Sequence, residues 1–125
     1  MLKHLTEYLR RLFRFKRGPA YRARHISDEP ETVRPETLYI IGENGYEWAV
    51  AFKCPCHCGD TIWLNLLEGH LQRWRIHYNH KRQLSLSPSI NRIVGCHSHF
   101  FLWDNRVYWC LPRLPRKKSY ARSCS

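Results

Sequence analysis

The sequence predicts a mainly β fold, in class a small α+β protein: a compact antiparallel β domain organised on a cysteine knuckle and preceded by an N-terminal amphipathic helix. Three observations predict it. Short runs rich in β-branched and aromatic residues recur between Gly-, Pro- and Asn-containing turns from residue 37 onward. A leucine pattern of helical period occupies the N-terminus. Five of the six cysteines fall in two places, Cys54-Pro-Cys56-His-Cys58 and the pair Cys96 and Cys110. At 125 residues the chain can bury one core but not two, and its 43% hydrophobic content suits folding rather than disorder.

The elements follow in order. Leu2, Leu5, Leu9, Leu12 and Phe13 recur at helical spacing, with Lys3, Arg10, Arg11, Arg14, Lys16 and Arg17 around them, so a basic amphipathic helix is expected over 1–17, stopped by Gly18-Pro19. Such a helix could dock on a partner or an anionic membrane surface; packing against its own domain is the preferred reading. Residues 18–36 read as a polar linker broken by Pro19, Pro30 and Pro35.

The β domain is expected over 37–110. Strands at 37–41 and 46–52 flank Asn44-Gly45, the best short hairpin signal in the chain. Further strands are read at 61–66 and 73–78, with a turn over 79–82. Weaker ones lie at 84–86 and 90–94, on either side of Pro88. A final hairpin joins 98–103 to 107–110 about Asp104-Asn105. Residues 111–125 form a basic tail.

Charge excludes less than it first suggests. The net charge of +11 belongs to the ends: residues 1–25 carry eight Lys/Arg against one acid, and residues 111–125 carry five against none. Residues 26–110 carry eight against nine. A neutral body between basic ends suits solubility or docking better than sequence-specific nucleic-acid binding. The five tryptophans fall in predicted strands, where filling a core explains them better than base stacking does. No apolar run approaches the roughly 20 residues a membrane crossing needs. The basic start is followed by no apolar stretch with a small-residue cleavage site, so a cytoplasmic location is expected. In that compartment thiols stay reduced, and clustered cysteines are more often metal ligands than disulfides.

The cysteine spacing therefore points to a metal. Cys54, Cys56 and Cys58 lie at i, i+2 and i+4, and Pro55 and Gly59 can bend the segment so that its thiolates share a centre. A structural zinc site closes its tetrahedron with Cys and His drawn from two places, and Cys96 and Cys110 can supply the second half. The ligands are then four drawn from Cys54, Cys56, Cys58, Cys96 and Cys110. The hairpin register adds His99: a two-residue turn at Asp104-Asn105 sets Trp103 opposite Arg106 and, counting back, His99 opposite Cys110. Opposed residues share one sheet face, which makes His99 a ligand or a close neighbour of the metal. Cys124, in the basic tail, is expected to be free.

Two segments carry groups suited to acyl transfer: Leu84-Ser-Leu-Ser-Pro-Ser89 and Gly95-Cys-His-Ser-His99. A serine becomes a nucleophile when a base takes its proton and donors stabilise the oxyanion. Taken alone, these serines suit turn capping and these histidines suit metal binding. No Gly-x-Ser-x-Gly elbow or His-Glu-x-x-His helix occurs.

The runs from Thr37 to Tyr46 and from Phe52 to Gly59, then Leu64-Asn-Leu66, Trp74-Arg75, Leu86-Ser-Pro-Ser89, Cys96 to Phe101 and Trp109-Cys110, occur in an order that resembles a family of short bacterial zinc-binding proteins. That family was formerly catalogued as a domain of unknown function, and some members are encoded beside ubiquitin-like conjugation enzymes of E1- and E2-like type. The likeness covers roughly residues 35–110. His57 departs from it, since the family more often has Gly there, and this puts a tight turn at that position in question. The resemblance implies a zinc-bearing β domain acting as a serine-type peptidase or deconjugase on a ubiquitin-like protein. By position it implies Ser89 as nucleophile and His99 as base. Ser98, Asn65 or nearby backbone N–H groups would orient the base or hold the oxyanion. The zinc would be structural, tying the knuckle to the hairpin that carries His99. Two other classes stay open on sequence: a non-catalytic zinc module that binds a conjugation enzyme or its cargo, and a nucleic-acid-binding zinc ribbon, which the neutral body disfavours.

Overall fold

In the computed structural model, residues 13–112 apart from 44 and 94 are described, and they form nine strands and no helix. The strands are β1 (Phe13–Ala20), β2 (Arg22–Ile26), β3 (Thr37–Glu43), β4 (Tyr46–Lys53), β5 (Thr61–Asn65), β6 (Arg75–Tyr78), β7 (Leu84–Asn91), β8 (His99–Trp103) and β9 (Arg106–Pro112). A five-stranded sheet runs β1-β9-β8-β7-β6, and a four-stranded sheet runs β2-β3-β4-β5. All pairings are antiparallel except β2 with β3, which is parallel.

The two sheets bury one core between them, as strand alternation requires. Leu38 and Ile40 of β3, Val50 and Phe52 of β4, and Ile62 and Leu64 of β5 meet Leu84, Leu86 and Ile90 of β7, Phe100 and Leu102 of β8, and Val107 of β9. The Phe52 and Phe100 rings touch across the interface, edge to face, with centroids 6.3 Å apart. The residues between them on the same strands point outward. Tyr39, Ile41 and Ala51 form a smaller cluster with Trp48 and Val33. Phe101 and Trp103 of β8 stack with centroids 4.7 Å apart, and Phe15 packs on both.

Both expected hairpins form. Glu43 pairs with Tyr46 across the first turn, and Trp103 pairs with Arg106 across the second. Asp104 and Asn105 both have positive φ (48° and 64°), as a two-residue turn that follows strand twist requires.

The N-terminal reading needs correction where it can be compared. Most of the expected helix, residues 1–12, lies outside the described residues. Residues 13–17, assigned to its last turn, belong to β1 and pair with β9 from Phe13↔Pro112 to Arg17↔Tyr108. The alternation Phe13-Arg-Phe15-Lys has period two, and the leucine pattern before it masked the change. Residues 18–36, read as a linker, contain the end of β1 and all of β2. The latter is a charged edge strand with no apolar alternation to reveal it. The segments 84–86 and 90–94 are not two strands: one strand, β7, runs through Pro88 to Asn91.

Candidate functional site: a Ser–His pair beside a cysteine cluster

Strand β7 is irregular where it matters. Leu86 pairs with Leu102 and Ile90 with Phe100, so β7 spends four residues where β8 spends two. The surplus forms a bulge over Ser87, Pro88 and Ser89, with a cis peptide between Ser87 and Pro88. Proline is tolerated inside a sheet at such bulges, and bulges re-aim the side chains they carry. Here Ser89 Oγ comes to 2.9 Å from His99 Nε2. That lies within the distance over which a histidine can take a hydroxyl proton. His99 follows the inward-facing Ser98 and precedes the inward-facing Phe100, so it stands on the outer face of the five-stranded sheet. Burial holds its imidazole below the ordinary histidine value of 6.5. The ring is therefore neutral at pH 7 and can accept a proton through whichever nitrogen lacks one.

On the inner side of the same connection lies the cysteine cluster. Segment 54–58 turns tightly after β4, with the His57 N–H donating to the Cys54 carbonyl (3.1 Å) and the Cys54 N–H to the Asp60 carbonyl (2.9 Å). The sulfur atoms of Cys54, Cys56, Cys58 and Cys96 all lie within 4.8 Å of one another. Cys54 Sγ is 3.3 Å from Cys56 Sγ and 3.6 Å from Cys96 Sγ. Tetrahedral zinc with bonds of about 2.3 Å spaces its sulfurs by roughly 3.8 Å, so the cluster fits a zinc site and could hold a metal ion. Cys56 is disulfide-bonded in this structure, and it can join the other three as a ligand only when reduced. Burial pushes the Cys54 thiol up to about 11. Burial also raises Cys96, but hydrogen bonds with Ser98 and Cys54 and the nearby Arg92 charge outweigh it, and the Cys96 thiol falls below its ordinary value.

The structure thus separates residues that the sequence grouped together. The predicted register holds, since Trp103 faces Arg106 and Phe100 faces Trp109, which continues to Cys110 beside His99. The consequence drawn from it does not follow. Both of those residues point outward, whereas Cys96 and Ser98 point inward, so Cys110 lies outside the four-cysteine cluster. It is a buried thiol, which burial pushes up to about 12. Ser98, a candidate for the catalytic group, is fully buried, with its hydroxyl 3.2 Å from Cys96 Sγ and 3.8 Å from Cys54 Sγ. Its hydroxyl faces the sulfurs of the cluster. Asn65 is also committed elsewhere: its side chain bonds Leu67 N–H and the Leu67 and Gln72 carbonyls, closing the loop after β5.

One residue at the site carried no sequence signal. Arg92, just after β7, directs its guanidinium at Cys96 (3.4 Å), Cys58 (3.7 Å) and the Asp60 carboxylate (3.1 Å). An isolated arginine in a turn has no spacing by which it could have been found. Two open clefts, about 630 and 900 Å³, share Glu47 in their linings, with Tyr78 in the first and Trp74 in the second, and neither is lined by Ser89 or His99.

The described residues form a small β-sandwich that presents a hydrogen-bonded serine and histidine on one face, beside a four-cysteine cluster that could hold a metal ion. The chain belongs to the family described as bacterial ubiquitination-like system serine protease (BubE), whose model matches residues 25–110. That membership supports a protease role in such a pathway and interaction with a ubiquitin-like protein. No curated protein and no solved structure matches the chain.

Proposed function

We propose that the chain is a serine peptidase that cleaves a ubiquitin-like protein, either maturing its precursor or releasing it from a conjugate, with Ser89 as nucleophile and His99 as general base. The observation that carries this reading is the 2.9 Å contact between Ser89 Oγ and His99 Nε2 in a histidine kept neutral by burial. The chemistry is acyl transfer. Ser89 Oγ attacks the scissile carbonyl as His99 takes the hydroxyl proton. The tetrahedral intermediate expels the amine, which receives that proton from His99, and leaves an ester on Ser89. Water, deprotonated by the same imidazole, then hydrolyses the ester. With Ser98 and Asn65 engaged elsewhere, donors for the oxyanion fall to backbone N–H groups around the bulge.

In this reading the cysteine cluster holds one zinc ion through Cys54, Cys56, Cys58 and Cys96, and the ion is structural. Four thiolates fill the tetrahedron and leave no position for a reacting water. Its part is to fix the 54–58 turn to Cys96, three residues before the base. Partners are the ubiquitin-like substrate and the E1- and E2-like enzymes of the same system. The neutral body continues to disfavour nucleic acid.

The test is cleavage of a ubiquitin-like protein carrying a short C-terminal extension by the wild type, Ser89→Ala and His99→Ala. Cleavage by the wild type alone supports the assignment, as does stoichiometric labelling of Ser89 by a fluorophosphonate. Cleavage that survives both substitutions removes it.

A further inference from the structure

Four thiolates around a divalent cation leave two negative charges, here in a region where Cys54 and Cys56 are buried and Cys96 is half-buried. Uncompensated charge in such a place is costly. Among the described residues the cation that reaches these sulfurs is Arg92, whose side chain retains 18% of its exposure. Its two terminal nitrogens divide their work: Nη1 reaches the sulfurs of Cys96 and Cys58, while Nη2 reaches the Asp60 carboxylate at 3.1 Å. Cys58 comes from the turn after β4 and Cys96 from the loop between β7 and β8, so one planar fork spans both halves of the cluster. The backbone holds that fork in place at both ends. Arg92 N–H donates to the Ser98 carbonyl (2.7 Å), and the Asp60 carbonyl accepts from Cys54 N–H (2.9 Å). Gly95 lies over the Arg92–Asp60 pair, where an added Cβ would sit 3.5 Å from each partner. A plain surface ion pair needs none of this and contributes little.

We propose that Arg92, aimed by Asp60, is the charge partner of the bound metal: its guanidinium donates to the Cys58 and Cys96 thiolates and sets both the affinity of the site and the inertness of its sulfurs. Arg92 is a positioning residue here. It acts on the metal through two ligands and touches no substrate. This rests on the reading of the cluster as a metal site. Hydrogen bonds to metal-bound ligands are known to tune affinity by about 10- to 100-fold. They also withdraw electron density from sulfur, which slows its attack on electrophiles. Lysine cannot reproduce the geometry, because a point charge with tetrahedral donors does not bridge two sulfurs and a carboxylate in one plane.

The experiment uses the full chain, reduced and loaded with one equivalent of zinc or cobalt(II), as wild type, Arg92→Met, Arg92→Lys and Asp60→Asn. Arg92→Met is expected to lower zinc affinity, measured by chelator competition, about 10- to 100-fold. It should speed zinc release by a thiol-alkylating reagent by a similar factor. Arg92→Lys should fall between, and Asp60→Asn should move the same way by less. The cobalt form gives a readout that general destabilisation does not mimic: losing hydrogen bonds to sulfur moves the thiolate-to-cobalt charge-transfer band to lower energy in Arg92→Met. Wild-type affinity, release rate and band position in Arg92→Met, with a wild type that binds one equivalent, overturn the proposal and leave the metal site standing. A reduced wild type that takes up neither metal overturns both. If Arg92→Met does not fold, Arg92→Lys and Asp60→Asn decide by the same band.

Discussion

Cys96 and His99 are three residues apart, yet they belong to regions of opposite character. Around Cys96 the polar atoms satisfy one another: sulfur meets sulfur, the Ser98 hydroxyl and the Arg92 guanidinium. His99 meets the Ser89 hydroxyl on the outer face of the sheet, at the lip of a bulge. Alternation along one extended segment produces the contrast, since Ser98 points inward and His99 outward. A segment with one closed side and one accessible side can be stiffened from behind while its front meets a substrate. On the proposed reading the cluster would supply stability and the pair chemistry.

The sharpest way to break that division is Ser89→Ala. Peptidase turnover should fall on the order of 10⁶-fold, while the thermal midpoint shifts by less than about 3 °C, as for a half-buried hydroxyl that supports no core contact. Substantial residual turnover would return Ser89 to a turn-forming role. Removing the metal tests the other half. Cys54→Ser, or chelation of the reduced protein, should destabilise by more than about 4 kcal/mol. Cys110→Ala should leave metal stoichiometry unchanged, because Cys110 lies outside the cluster. Equal metal loss from both cysteine variants would put Cys110 back among the ligands. Ser98→Ala belongs with the cluster as well: it should cost about 1–3 kcal/mol in stability, with turnover per folded molecule unchanged.

The pair makes a prediction in pH. His99 must be neutral to accept the serine proton, and burial disfavours its charged form, so its pKa lies below 6.5. The acid limb of kcat/KM should therefore have its midpoint below that value, and turnover should fall about tenfold per pH unit beneath it. Stability shares the sign. A histidine with a depressed folded pKa contributes stability above its unfolded value, and that contribution is lost as pH falls from there through the folded pKa. An acid limb centred above 6.5 would mean that a neighbouring negative charge, rather than burial, governs the ring.

How much of this was legible in the sequence follows the same inside–outside division. The core strands were readable because Leu38, Ile40, Ile62, Leu64, Phe100 and Leu102 alternate with other residues between clear turns. The second hairpin register was readable from Asp104-Asn105 alone. The edge strands were not, because β2 is charged and β1 follows a leucine repeat of another period. Three of the cluster's cysteines were evident from their spacing, whereas Cys96 and Cys110 were equal candidates for the remaining place. The exclusion of Cys110 and the engagement of Ser98 depend on which face of the β8–β9 hairpin turns to the core, and the placing of Ser89 depends on the β7 bulge. A bulge shifts register without leaving a composition signal. Pro88 was the one visible sign of it, and it reads more naturally as a strand break.

The smallest expected effect concerns the turn that brings the cysteines together. His57 has φ +68°, in the left-handed region that favours glycine, and its side chain is exposed. The tight turn in question does form, with the His57 N–H bonded to the Cys54 carbonyl. A side chain costs about 1 kcal/mol in that conformation, partly offset by the extra freedom that glycine gives the unfolded chain. His57→Gly should therefore stabilise the protein by about 0.5 kcal/mol and raise the midpoint by roughly 2–4 °C. Gly59→Ala is the converse. Gly59 has φ +91° and open space where a Cβ would stand, so strain alone should make that variant less stable by about 1 kcal/mol. Neither change touches a sulfur or the Ser–His pair, so turnover at 25 °C should not move. If His57→Gly lowers stability instead, the imidazole makes a contribution in this turn that outweighs its backbone strain. The division between a stabilising cluster and a reacting pair would then need a ligand-like role for a fourth residue of the 54–58 segment.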